Sequence, residues 1–80
     1  MSINEAVKDR IIELCTKRKW TYHAVAGYAG IPSSTMTSII DGTSKNPGIV
    51  TIKKICDGLE VTIVEFFDTS VFQNLEQEIK

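Results

Sequence analysis

Apolar residues recur along this chain at intervals of three and four, the spacing of one helix face. In the first segment, Val7, Ile11 and Leu14 follow one another at these intervals. The stretch Ser2-Ile3-Asn4-Glu5 precedes them and has the Ser-x-x-Glu pattern of a capping box, which satisfies backbone donors at a helix start. Together these signals predict a first helix from about residue 3 to residue 18.

The remaining apolar positions predict four more short helices. Their expected ranges are 22–29, about 32–41, 49–59 and 62–67. Gly30 and Gly42 mark the ends of the second and third helices, since glycine readily adopts the left-handed conformation common there. Because no segment alternates like a strand, the sequence predicts an all-α fold.

A last amphipathic helix is predicted over residues 69–80. The stretch Ser70-Val71-Phe72-Gln73 again has the capping-box pattern, and Phe72, Leu75 and Ile79 would share one side with Val71. Two uses of this side stay open: it packs on its own domain, or it forms a two-fold contact between copies. We therefore divide the chain into a domain of residues 1–68 and a tail of residues 69–80.

The third predicted helix has two distinct faces. Met36, Ile39 and Ile40 fall within about 100° of one another and would face the core. The opposite arc carries short polar groups: Ser33, Ser34, Thr37, Ser38 and Asp41. About three residues join this helix to the second one, which forces a steep crossing. A helix that packs against the preceding one and keeps a polar outer face has the geometry of a helix-turn-helix, whose second helix enters the DNA major groove.

These residues resemble a known family. The stretch WTYHAVAGYAGIPSSTMTSIID, the following GTSKNP loop and IKKICDGLEVTIVEFF are similar to the Cro/C1-type (XRE-like) helix-turn-helix domain of phage and bacterial repressors. The similarity covers roughly residues 8–68. Its marks are Ala26 and Gly30, Ser34-Thr35-Met36 leading into Ile39, Asp41-Gly42, Asn46-Pro47, and Leu59 with Val61-Thr62. The resemblance implies a compact five-helix, lambda-repressor-like domain, here with an additional C-terminal helix.

The resemblance also implies roles for individual residues. The base-facing positions of the third helix are Ser33, Ser34, Thr37 and Ser38. Tyr22 stands where the family often has a glutamine that binds phosphate, and Lys45 and Asn46 match the phosphate-contacting loop. Backbone N–H groups at the start of the third helix would add to the phosphate contact.

Three positions depart from the family pattern. The base-facing side chains are hydroxyls, which cannot read guanine or adenine with two hydrogen bonds. Pro32 stands where a Ser or Thr cap is usual, and Glu60 where the family commonly has glycine. The first departure concerns specificity, and the other two concern helix ends.

Net charge changes the picture only through its distribution. The chain has 80 residues, 42% of them hydrophobic, and a formal charge of −1, which suits one small globular domain. Up to residue 54 there are eight basic against four acidic residues, whereas one lysine and six acids follow. This asymmetry is compatible with a nucleic-acid surface on the first part, and equally with unequal solvated faces.

No residues are spaced like a catalytic or metal site. Cys15 and Cys56 lie far apart and are expected to be reduced core thiols, and His23 has no partner nearby in sequence. We therefore expect no enzyme, no cofactor and no metal. We also expect no membrane span and a cytoplasmic location, because no apolar run approaches about 18 residues and the N-terminus lacks a signal-peptide core.

The sequence thus predicts a sequence-specific transcriptional regulator, a repressor, that binds double-stranded DNA at a palindromic operator. An effector or operator sequence is not predicted. The alternative is a helix-turn-helix-like interaction module, such as an antitoxin or adaptor, that binds a protein and not DNA. A homodimer through the tail accompanies the first hypothesis.

Overall fold

In the computed structural model, which describes residues 1–79, five α-helices and one 3-10 turn form the fold, and this range contains no strand. The helices are α1 (Ile3–Arg18), α2 (Tyr22–Ala29), α3 (Ser33–Ile40), α4 (Ile49–Leu59) and α5 (Ile63–Phe67). Each end of each helix lies within one residue of the range predicted from sequence. The prediction of a five-helix, all-α fold is confirmed.

Side chains cap three of the helix starts, as the sequence indicates. The Ser2 and Thr21 hydroxyls accept hydrogen bonds from the third backbone N–H of α1 and α2. Thr62 and Glu65 form a complete capping box at α5, in which each side chain accepts from the other residue's N–H. These contacts replace hydrogen bonds that the first turn of a helix cannot make internally.

Three helices end in a residue with left-handed backbone. At α2 this residue is Gly30 (φ 71°), which carries no steric penalty. Lys19 (φ 57°) and Glu60 (φ 61°) hold the same position at α1 and α4. The position of Glu60 therefore does require the conformation for which the family's glycine is suited, and its side chain costs about 1 kcal/mol there.

The core forms where α2 packs against α4, with α1 and α3 closing the sides. Its buried members are mostly aliphatic: Val7, Ile11, Leu14, Val25, Ala26, Met36, Ile39, Ile52, Ile55, Leu59 and Phe66, with both cysteines. At Gly58 the two helices approach so closely that an added Cβ would lie 2.8 Å from the backbone nitrogen of Ala29. A side chain there cannot fit without separating the helices.

Both cysteines are free and buried, as expected. Burial raises the pKa of the Cys15 and Cys56 thiols, because the thiolate is poorly solvated in the core. They are packing groups of low reactivity.

Arg10 joins α1 to the end of α5. Its guanidinium is buried and donates 2.7 Å hydrogen bonds to the carbonyls of Glu65 and Phe66 and to the carboxylate of Glu13. The hydrogen bond from Arg10, and secondarily its positive charge, lowers the pKa of the Glu13 carboxyl. Arg10 was counted among the basic residues of the first part of the chain, but it is not available to a ligand.

The predicted C-terminal helix is wrong for the described residues. Only the 3-10 turn Ser70–Phe72 forms, and residues 73–79 are not helical. The N–H of Glu76 donates to the carbonyl of Met1 (3.1 Å), although a helix would need it to bond to Phe72. A helix this short is marginal by itself. Here the contacts with the rest of the domain determine the path of the tail.

The residues predicted to share a dimer face differ in packing and exposure. The Phe72 ring packs on Phe67 and Phe66, with centroids 4.9 and 6.2 Å apart. Leu75 is half-buried, whereas Ile79 is 89% exposed. Of the two uses considered for the tail, Phe72 follows the first, which is packing on its own domain.

Candidate nucleic-acid interface

Helix α3 is held from one side and open on the other. Met36 and Ile39 are only 1% and 5% exposed and anchor it to the core. On the outer side Ser33, Ser34 and Thr37 are exposed, and Ser38 is half-buried at the flank. Three of the four hydroxyls predicted to face bases thus lie at the surface, and the fourth lies at its border.

The first turn of α3 lacks a side-chain cap. Pro32 is the N-cap residue, and its extended backbone (φ −61°, ψ 144°) starts the helix without accepting a hydrogen bond through its side chain. Backbone N–H groups at an uncapped helix start carry a partial positive charge directed outward. This end of α3 is therefore suited to an anionic group such as a phosphate.

His23 contacts α3, which sequence reasoning missed. Its Nδ1 lies 3.0 Å from the Ser33 hydroxyl, and both residues are exposed. Their helices meet at these first turns, so a residue with no partner nearby in sequence finds one ten positions away. The only signal in the sequence is that both residues start a helix in a tight helix-turn-helix.

The loop after α3 folds back on the helix. Asp41 accepts a 2.9 Å hydrogen bond from the Thr43 N–H, which lowers the pKa of the Asp41 carboxyl. Gly42 has left-handed backbone (φ 84°), and the Ser44 N–H donates to the Ser38 carbonyl at 2.9 Å. These bonds fix the chain that leads to Lys45 and Asn46.

Lys45 and Asn46 are both exposed, as a role in binding phosphate requires. The Asn4 side-chain amide of α1 donates to the Lys45 carbonyl, which ties the loop to the start of α1. Lys8 of α1 lines the same small cavity of about 120 Å³ as Lys45 and Ile39. Lys8 is a second residue that sequence reasoning missed, because only the tertiary fold brings α1 beside this loop.

Tyr22 is the first residue of α2 and is 37% exposed. Its position, at the same end of its helix as Ser33 in α3, is compatible with the phosphate contact that the resemblance implies. The exposed set therefore includes helix starts, a hydroxyl face and one basic loop.

Other kinds of site find little support in the part of the chain that the structure describes. Within residues 1–79 no group of three or more His, Cys, Asp or Glu residues is arranged to hold a metal ion. None of the described helices is long and apolar enough to cross a membrane.

Known proteins with related sequences and structures support the same assignment. The family model for the Cro/C1-type HTH DNA-binding domain matches residues 10–70. The HTH-type transcriptional regulator SlrR of Bacillus subtilis (strain 168) is 37% identical over 60 residues, which are 74% of this chain and 40% of that regulator. This chain therefore spans less than half the length of that relative.

A solved structure, that of the prophage Lp1 protein 11, has a TM-score of 0.81 and 34% sequence identity to this chain. The match covers 94% of this chain and all of that one. Because the family model covers well over half of the 80 residues, this chain belongs to the Cro/C1-type helix-turn-helix DNA-binding domains, the domains of transcriptional regulators that the sequence resembles.

Proposed function

We propose that this protein represses transcription by sequence-specific binding of α3 in the major groove of double-stranded DNA. The observation that carries the proposal is the division of α3 into a buried apolar side and an exposed row of hydroxyls. A helix of eight residues held by Met36 and Ile39 can enter a groove without disturbing the core. Repression would follow from occupancy of the operator, in the cytoplasm where the DNA lies.

The phosphate contacts would fix the position of the protein on the duplex. Tyr22, Lys45, Asn46 and the first N–H groups of α3 are the proposed contacts, and Lys8 is added because it lies beside Lys45. Such contacts supply affinity and orientation but little sequence information. If about four phosphates are neutralised per copy, log K against log salt should have a slope of roughly −3.6.

Sequence preference would come from short contacts. The hydroxyls of Ser33, Ser34, Thr37 and Ser38 can each donate one hydrogen bond and accept others, and the threonine methyl can contact thymine. None of these side chains can form the bidentate pair that arginine makes with guanine. DNA shape should therefore contribute more to the preference than in proteins with arginine in the recognition helix.

We further propose that two copies bind a palindromic operator. A single module of this size covers only about 600–1,000 Å² of protein surface on DNA, and hydroxyl contacts are individually weak. Half-sites about 34 Å apart would place both copies on one side of the duplex. Leu75, Ile79 and the exposed part of Phe72 stay candidates for a contact between copies, although the Phe72 ring also packs on Phe66 and Phe67.

Selection of bound sequences from random double-stranded DNA at two salt concentrations tests the proposal. An enriched palindrome with a salt-dependent affinity is expected, and a reporter gene placed behind that sequence should be expressed less when the protein is present. A salt slope near zero on every DNA, or no enriched sequence, would refute DNA binding. Enrichment of a single half-site would refute only the two-copy part.

A matched pair of variants tests the loop contact. Asn46→Asp and Asn74→Asp make the same change at exposed positions, one in the loop and one in the tail. The added charge should weaken DNA binding about three- to tenfold at position 46, where phosphate is close, and less than about twofold at position 74. An interaction module that uses the tail would instead lose its protein partner on Leu75→Asp and be unaffected by Asn46→Asp.

A further inference from the structure

The hydrogen bond between His23 and Ser33 joins the outer ends of the two helices that would face DNA. The Ser33 hydroxyl and His23 Nδ1 lie 3.0 Å apart. Both residues lie in the first turn of their helices, and both are exposed. The hydrogen bond that Ser33 can form with a base therefore depends on the hydrogen bond that it forms with His23.

We propose that His23 is a specificity-determining residue that makes the Ser33 hydroxyl an acceptor toward DNA, so that one operator position favours adenine or cytosine. The inference rests on the proposed function, because it requires α3 to lie in the major groove. The preference would be set by the direction of the hydrogen bond between His23 and Ser33.

Only one hydrogen can lie between the two atoms. If Nδ1 carries it, the ring donates to the Ser33 oxygen and the hydroxyl hydrogen is free to point elsewhere. If Nδ1 is unprotonated, the Ser33 hydroxyl donates to the ring, and the lone pairs of its oxygen are left for another partner. The tautomer of His23 therefore decides whether Ser33 can donate outward or can only accept.

DNA itself would select the second arrangement. The exposed ring of His23 can present Nε2 to the backbone beside the Tyr22 end of α2, and a phosphate oxygen can only accept hydrogen bonds. Contact with phosphate places the hydrogen of a neutral imidazole on Nε2, which leaves Nδ1 as an acceptor. Ser33 then donates to Nδ1 and accepts from a base amino group. In the major groove only adenine N6 and cytosine N4 offer one.

The test uses the full chain and selection from random double-stranded DNA. Five forms are compared: the wild type, Ser33→Ala, His23→Asn, His23→Gln and the double variant Ser33→Ala/His23→Gln. An asparagine amide lies where Nδ1 lies, but a glutamine amide reaches the position of Nε2. The Asn variant therefore keeps a contact with Ser33, whereas the Gln variant loses it.

The wild type is expected to prefer adenine or cytosine about three- to tenfold at one position of each half-site, the value of one hydrogen bond. Ser33→Ala and His23→Gln should lose the preference at that same position, and the double variant should lose no more than either. His23→Asn should keep it.

The outcomes separate this inference from the proposed function. If the wild type enriches an operator and His23→Gln keeps every base preference of the wild type, the inference is wrong and DNA binding stands. If Ser33→Ala and His23→Gln alter different positions, His23 does not act through Ser33 and the inference is also wrong. If no DNA is enriched by any form, both the inference and the proposed function are refuted.

Discussion

The contact between α2 and α4 is closely packed, whereas the outer face of α3 is open to solvent, although both lie in the same small domain. At the contact, Gly58 lies directly against the Ala29 backbone and no space is left for a methyl group. On the outer face of α3, Ser33, Ser34 and Thr37 are exposed and contribute little to packing. Stability and the proposed DNA contact therefore depend on different residues. Variants should change the stability without the DNA affinity, or the DNA affinity without the stability.

The largest expected effect is on DNA affinity. Ser34→Glu places a negative charge on the face of α3 that would enter the groove, and it should weaken binding to the selected operator at least about a hundredfold. The stability should stay within about 0.5 kcal/mol of the wild type, since an acid near a helix start is tolerated or favourable. Fluorescence anisotropy with labelled operator and urea unfolding measure the two quantities. An unchanged DNA affinity would contradict the proposed contact between α3 and DNA.

The next effect is on stability. Gly58→Ala forces a Cβ to within 2.8 Å of the Ala29 nitrogen and should lower the free energy of unfolding by about 1–3 kcal/mol. The control is Gly27→Ala in the neighbouring helix, where nothing lies within 4 Å of the added Cβ. That variant should be more stable by about 0.5–1 kcal/mol. Urea unfolding compares them, and equal stability would contradict the close contact.

A smaller gain is expected at the end of α4. Glu60 has left-handed backbone (φ 61°), so Glu60→Gly removes a steric cost but makes the unfolded chain more flexible. The net result should be a gain of about 0.5 kcal/mol in the free energy of unfolding, with DNA affinity unchanged. Thermal unfolding and anisotropy measure this, and a clear loss of stability would contradict the account of the helix end.

The smallest effect concerns acid stability. Hydrogen bonds from the Thr62 N–H and hydroxyl lower the pKa of Glu65 below its ordinary 4.5. A carboxyl with a lowered pKa in the folded state stabilises the protein above its unfolded pKa, and that contribution is lost as pH falls through the folded value. Glu65→Gln should therefore make unfolding less dependent on pH below about 4.5 than in the wild type. Urea midpoints measured from pH 7 down to about pH 3 check the difference.

Asp41 at the end of α3 has a lowered pKa for the same reason, a hydrogen bond from Thr43. The same pH series on Asp41→Asn shows whether the loop that carries Lys45 contributes to stability in the same pH-dependent way as the capping box of α5. An identical pH dependence in both variants and the wild type would contradict both assignments.

Local sequence signals were enough to predict most of the fold. Turn and capping signals together with apolar spacing predicted each helix from α1 to α5 to within a residue, because the residues that mark the helix ends and the apolar residues that pack each helix lie in the same short segments. The tail shows the limit. Thr62 and Ser70 begin the same kind of motif, but Thr62 starts a helix that buries Phe66, whereas Glu76 bonds to Met1 at the other end of the chain.

The candidate site was predictable in part for the same reason. The two faces of α3 follow from its period, and family resemblance added the loop residues. His23 beside Ser33, Lys8 beside Lys45 and the burial of Arg10 depend on contacts between segments distant in sequence. Neither periodicity nor charge counting carries that information.

The central claim is that the outer face of α3 and the following loop contact DNA. Backbone amide chemical shifts, measured by NMR while the selected operator is added to the full chain, test it most directly. The largest changes are expected at Ser33, Ser34, Thr37, Lys45 and Asn46, with small changes in α4 at Gly58. Large changes confined to the tail, with these five amides unmoved, would contradict the account.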